Sequence, residues 1–142
     1  VGGNLPPAGG ALPVGRPGRY LLDPNPAVTR AGLVADLGRR LGAWQLDGRI
    51  AFLSADDPVR TPFARLLRVE RSLPWDVAVL ARQLRGLGVG AVDVRRRGLA
   101  GDVAQVARRL RLRGGRKMTL VMTRVAGRPW ALVCVEPGEP AL

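Results

Sequence analysis

The sequence predicts an α+β fold: a small mixed β-sheet with helices packed on one face, preceded by a helical and extended N-terminal segment. From Arg65 onward, strand-like alternation and helical periodicity alternate in the order strand, helix, strand, helix, strand, strand. The final stretch, Pro129 to Val135, is apolar at nearly every position, so both of its faces must be covered. A crossover between parallel strands is right-handed, which places both helices on the same side of the sheet.

The elements follow in order. Val1 to Gly18 is dense in Gly and Pro and reads as a linker or extended arm (residues 1–18). The chain begins at Val rather than Met, and this segment is expected to join a preceding part of a longer protein. Arg19 to Asp23 is a candidate short strand. Asn25 as cap and Pro26 at the first helical position open a helix, and Val28, Ala31, Val34, Leu37 and Leu41 recur along it at helical spacing up to Gly42. Asp47-Gly48 is a turn signal leading to the apolar run Ile50 to Leu53. These features make residues 19–63 an N-terminal subregion. The adjacent carboxylates Asp56 and Asp57, before Pro58, read as a solvated turn rather than an acid/base pair, since neighbours in a loop point apart.

The core is expected over residues 64–136. Arg65 to Ser72 alternates as a strand, and Pro74 is expected to open a helix carrying Val77, Leu80, Ala81, Leu84 and Leu87 on one side. Gly88 and Gly90 should end it. Their run, GLGVG, follows a helix and precedes a strand, the reverse of the order that aims helix N-terminal amides at a phosphate. Ala91 to Arg95 reads as a strand and Asp102 as the start of a second helix, buried along Val103, Val106, Ala107 and Leu110 and closed by Gly114 and Gly115. Met118 to Val125 and Pro129 to Val135 form a hairpin through Ala126-Gly127-Arg128, and residues 137–142 a flexible tail. Trp44, Trp75, Trp130 and Cys134 are expected in the core rather than at a stacking platform or reactive site.

Charge patterning singles out Arg95 to Lys117. It contains Arg95, Arg96, Arg97, Arg108, Arg109, Arg111, Arg113, Arg116 and Lys117 against one acid, Asp102, within a chain of net charge +12. Guanidinium groups stay charged and fork onto phosphate oxygens, so the expected partner is a polyanion, RNA above all, bound with steep salt dependence. The competing reading is a solvated face: the chain has 22 Arg and one Lys, a bias that a GC-rich genome produces everywhere. The composition also excludes chemistry. With no histidine, a His general base, relay or metal ligand is ruled out, and one cysteine without histidine removes a zinc site. No P-loop or dinucleotide fingerprint occurs. The lone cysteine fits a reducing cytoplasm, and no apolar run approaches the roughly 20 residues of a membrane span.

Several ordered blocks carry a family resemblance: GRYLLDPNPAVTRAGLV, RTPFARLLRVERSLPWD, GVGAVDVRRRG, VARRLRLRG and TLVMTRVAGRPWALVC. Together they span Gly18 to Val135 and resemble the THUMP-like C-terminal domain of a family of bacterial class I methyltransferases. Asp23 to Val34, Ser72 to Trp75, Arg95 to Gly98 and Thr123 to Trp130 are its diagnostic parts. The basic triplet keeps the family's charge, often Lys there. Leu99-Ala100-Gly101-Asp102 departs from the acidic, proline-containing run usual at that place.

The resemblance implies a parent protein whose N-terminal domain binds S-adenosylmethionine and catalyses methyl transfer. This chain would be its non-catalytic accessory, with no cofactor of its own, using the nine basic residues to hold RNA. The alternative is a docking or dimerisation domain without RNA contact. The partners expected are therefore RNA and the catalytic domain of the same chain, with no membrane.

Overall fold

The computed structural model describes residues 11–138. Seven strands and four helices follow one another as β1 (Tyr20–Pro24), α1 (Pro26–Arg30), α2 (Val34–Leu41), β2 (Trp44–Gln45), β3 (Leu53–Ala55), β4 (Ala64–Pro74), α3 (Val77–Gly86), β5 (Val89–Arg96), α4 (Val103–Leu110), β6 (Arg116–Val125) and β7 (Arg128–Val135). They build one mixed sheet in the order β2-β3-β1-β4-β7-β6-β5. Among the seven described strands β5 and β6 are the one parallel pair, joined through α4. The expected order from Arg65 is present, and the N-terminal third extends the same sheet by pairing β1 with β4.

Alternation along β6 and β7 divides the core. Met118, Leu120, Met122, Ala131, Val133 and Val135 face Leu80, Ala81 and Leu84 of α3 and Val106 and Leu110 of α4. Farther along, on the β1–β3 half, Leu37 of α2 packs with Leu22, Leu53 and Leu66. On the other face Leu21, Leu67, Val121, Leu132 and Cys134 are covered by Leu46, Ile50 and Phe52 from the connection between β2 and β3. Burying a leucine such as Leu80, Leu84 or Leu110 stabilises by about 1.5–3 kcal/mol, whereas an N-cap contributes about 1 kcal/mol. Packing on the sheet therefore decides where these helices lie.

The structure corrects several local expectations. The helix expected from Asn25 to Leu41 is two helices, broken at Gly32, which adopts φ 71°. Positive φ is open to glycine without a Cβ clash, and the break lets α2 alone bury a face, since α1 has no buried residue. Asn25 does not cap the first turn through its side chain; its Nδ2 donates to the Pro62 carbonyl at 3.0 Å. Pro74 ends β4 instead of opening α3, and Asp76 is the cap, accepting from Val79 N at 3.1 Å. A proline lacks a ladder donor and is tolerated at a strand end.

The glycines near α4 also act differently. The helix stops at Leu110, with Arg111 in the left-handed region at φ 50°. Gly90 lies in β5 opposite Gly114, and a Cβ on either would collide with the other segment's backbone. Gly114 N donates to Val89 O at 3.2 Å and Arg116 N to Gly88 O at 3.1 Å. These glycines permit the close approach that starts the parallel β5–β6 pair. Residues 11–18, part of the stretch read as a linker, lie against β2: Leu12 is buried, and Gly15 N donates to Gln45 O at 2.9 Å. Residues 1–10 and 139–142 fall outside the described part.

Candidate functional site

The basic stretch is continuous in sequence and divided in space. Val89 pairs with Arg116 and Arg96 with Met122, so its ends are separated by six residues of β6, about 20 Å at roughly 3.3 Å each. Arg95, Arg96 and Arg97 sit at the end of β5. Arg108, Arg109, Arg111, Arg113, Arg116 and Lys117 gather where α4 ends and β6 begins.

At the first end the arginines are engaged within the fold. Asp23, at the end of β1, accepts Arg95 Nη1 on Oδ2 at 2.9 Å, and Arg97 Nε and Nη2 on Oδ1 at 3.1 and 2.9 Å. Arg97 Nη2 also reaches the Pro24 carbonyl at 3.2 Å, and its guanidinium lies 5.4 Å from the centre of the buried Phe52 ring. The Asp23 side chain is 9% exposed while those of Arg95 and Arg97 are 36% and 28% exposed. A nearly buried carboxylate thus faces two half-exposed cations, an arrangement that compensates the charge removed from water.

In a flat sheet four strand spacings, about 19 Å, would separate β1 from β5. The contact therefore requires the sheet to twist and curl over the Phe52 face. Alternation turns Arg96 the other way, where it is exposed and its Nη1 donates to the Gly101 carbonyl.

The turn after β5 is held as firmly. Gly98 has φ 79°, and a Cβ there would collide with Ile50. Arg124 Nε donates to Gly98 O at 2.8 Å and its Nη1 to Gly127 O at 2.9 Å, which joins this turn to the β6–β7 hairpin. Asp47, buried rather than solvated in its turn, accepts Arg49 N at 2.9 Å and Gly127 N at 2.8 Å. Ala126 and Gly127 both have positive φ, at 47° and 84°, the backbone that a two-residue hairpin turn with matching twist needs.

At the second end, Arg108, Arg109, Arg111, Arg113 and Lys117 are exposed and Arg116 is half-buried. None of the six side chains makes an ion pair with a described residue. Asp102 is not their counter-ion, because it caps α4 at the opposite terminus, accepting from Ala104 N and Gln105 N at 2.9 and 3.2 Å. Arg108 and Arg109 in the last turn are favoured by the helix dipole, worth about 0.3–1 kcal/mol each. That effect accounts for cations at this terminus but not for Arg111 and Arg113 in the following connection or Arg116 and Lys117 at the start of β6.

The aromatics and the cysteine offer little chemistry. Trp44, Trp75 and Trp130 are half-buried rather than core; Trp44 Nε1 donates to Arg16 O at 2.8 Å and Trp130 Nε1 to Ser72 Oγ at 2.9 Å. Cys134 is buried, and desolvation, with Glu70 adding to it, pushes its thiol far above the ordinary range, so no thiolate nucleophile forms. Asp56 and Asp57 are exposed. Among the described residues no group of three or more acidic, Cys or His side chains could hold a metal, and no helix is long and apolar enough to cross a membrane.

Sequence reasoning missed Asp23, Asp47, Arg49 and Arg124. The available signal was a charged residue closing the apolar run Tyr20-Leu21-Leu22, which asks for a buried partner.

The chain is 41% identical over 125 residues to two uncharacterized S-adenosylmethionine-dependent methyltransferases of Mycobacterium tuberculosis, from strains CDC 1551 and H37Rv. The match covers 88% of this chain and 34% of each relative, so the chain spans about a third of their length. A crystal structure of a candidate methyltransferase from Porphyromonas gingivalis W83 shares the fold, with a TM-score of 0.74 at 21% identity, over 91% of this chain and 32% of that one. The THUMP domain-like family model matches residues 64–136, β4 through β7 with the helices between them. With just over half of its residues inside that match, the chain belongs to the THUMP domain-like family.

Proposed function

We propose that this chain is a non-catalytic RNA-binding accessory domain of an S-adenosylmethionine-dependent methyltransferase, which holds the RNA while another part of the longer protein transfers the methyl group. In this reading the methyl donor binds in the remaining two-thirds of a protein built like the relatives, residues 64–136 form the RNA-holding core, and residues 19–63 brace it. The carrying observation is the four exposed arginines around the end of α4, Arg108, Arg109, Arg111 and Arg113, which with Arg116 and Lys117 at the start of β6 make no ion pair with a described residue, whereas Arg95 and Arg97 at the far end of β5 are paired with Asp23. Cations without internal partners remain available to phosphates, and their binding releases counterions from the nucleic acid. Arg96, turned away from Asp23, donates to the Gly101 carbonyl at the other end of β5 and stands apart from this group.

The test is fluorescence anisotropy with a structured RNA across a salt series, comparing the wild type with an Arg108→Ala, Arg109→Ala, Arg113→Ala variant. Arg111 is kept because its left-handed backbone ends α4. The expected result is uniformly weaker binding and a log–log salt slope reduced by about 2–3, since each lost phosphate contact removes roughly 0.9 on a duplex and 0.7 on a single strand. An unchanged slope, or no RNA binding by the folded wild type, defeats the proposal.

A further inference from the structure

A cavity of about 830 Å³ opens between the β2–β3 connection, the turn after β5 and the β6–β7 hairpin, within the roughly 300–1,000 Å³ common for small-ligand sites. Its lining joins two kinds of surface. Val14, 49% exposed at the rim, and Ile50 supply apolar contact. Arg49 and Arg124 supply guanidinium groups. The Arg49 side chain is exposed and makes no hydrogen bond to a described residue, while Arg124 uses Nε and Nη1 on two carbonyls and keeps its Nη2 donors unused among the described residues.

The one carboxylate in the lining, Asp47, has both oxygens occupied by backbone N–H groups, so it does not neutralise either arginine by direct contact. Gly48, Gly98 and Gly127 line the cavity without side chains and let a ligand approach the backbone. The free guanidinium of Arg49 and the remaining Nη2 donors of Arg124 beside an apolar wall suit a phosphate joined to a flat ring whose faces are apolar.

We infer that this cavity binds one nucleoside monophosphate unit, its phosphate on Arg49 and Arg124 and its base along Val14 and Ile50. The unit is either a free nucleotide or the phosphorylated end of an RNA strand. The site lies at the opposite end of β5 from the α4 cluster and does not depend on that cluster's role.

The experiment is titration of the isotope-labelled chain with AMP, followed by the backbone amide resonances of Gly48, Gly98 and Gly127. AMP is expected to shift all three, with adenosine and inorganic phosphate each needing a concentration about tenfold higher or more, and Arg49→Ala is expected to weaken AMP binding about tenfold through loss of a charge-assisted bond. Unmoved glycine amides, or an Arg49→Ala variant that binds AMP as the wild type does, overturns the inference. A 5′-phosphorylated oligoribonucleotide beside its 5′-hydroxyl counterpart then identifies the source. Shifts with AMP and the phosphorylated strand but not its 5′-hydroxyl counterpart assign an RNA end, and shifts with AMP but neither strand assign a free nucleotide; both results support the site. The Arg108→Ala, Arg109→Ala, Arg113→Ala variant should keep the AMP shifts even where it loses RNA, which separates this site from the proposed RNA surface.

Discussion

The two ends of the Arg95–Lys117 stretch hold the same residue type in opposite states. At the end of β5, Arg95 and Arg97 converge on Asp23 from the far side of the sheet, and Arg124 ties the following turn to the hairpin. Around the end of α4, five exposed cations and the half-buried Arg116 make no ion pair to a described residue. The difference teaches that charge density along a chain measures neither free charge nor a continuous patch. A guanidinium close to a buried carboxylate acts as a structural tie, and one on an exposed connection stays available to a partner.

Removing the tie should have the largest effect. Asp23→Asn leaves Arg95 and Arg97 facing each other over Phe52 without a counter-charge, and urea unfolding should show a loss of about 2–4 kcal/mol, below the full cost of breaking a buried pair because both arginines are partly solvated. A loss under about 0.5 kcal/mol, the range of ordinary surface changes, would mean that Asp23 does not hold the two halves of the sheet together. For the same reason, alanine substitution of the whole triplet would mix lost folding with lost binding.

Gly98→Ala tests the rigidity of the same end. Its φ of 79° disfavours any side chain, and the new Cβ would push Ile50, so a loss of about 1–3 kcal/mol is expected in thermal unfolding. Wild-type stability would show that the turn after β5 can rearrange, and that the first end is less fixed than its hydrogen bonds indicate.

Between the two ends lies Cys134, on the face covered by Phe52. Its thiol is held neutral in the fold while the unfolded thiol ionises near pH 8.5. The unfolded state therefore binds fewer protons above that pH, and this contribution to stability is present below it and lost as pH rises, by at most about 1.4 kcal/mol per pH unit. Comparing wild type with Cys134→Ser between pH 8 and 10 isolates that slope, and parallel curves would show that the site is wetter than its burial implies.

The smallest effect on stability is expected at the second end. Arg108→Ala, Arg109→Ala and Arg113→Ala together should change unfolding by no more than about 0.5 kcal/mol per position while reducing the salt slope of RNA binding. A large loss of stability would erase the contrast between the two ends.

Period and punctuation in the sequence determined the alternation of elements from Arg65 onward, the two apolar faces of β7, the cap at Asp102, the stop at Gly42 and the concentration of positive charge. These depend on local chemistry: side-chain alternation, amphipathic spacing and the few residues that tolerate special backbone angles. Only the tertiary structure decided the remainder. Pro74 ends a strand because Trp75 N finds Pro129 O at 3.0 Å across the sheet, and Gly90 belongs to β5 because Gly114 approaches it. Asp23 meets Arg95 and Arg97 because the sheet curls, joining residues more than 70 positions apart. Long-range partners of this kind leave no periodic trace in the chain, and they determine which arginines hold the fold and which are left to bind.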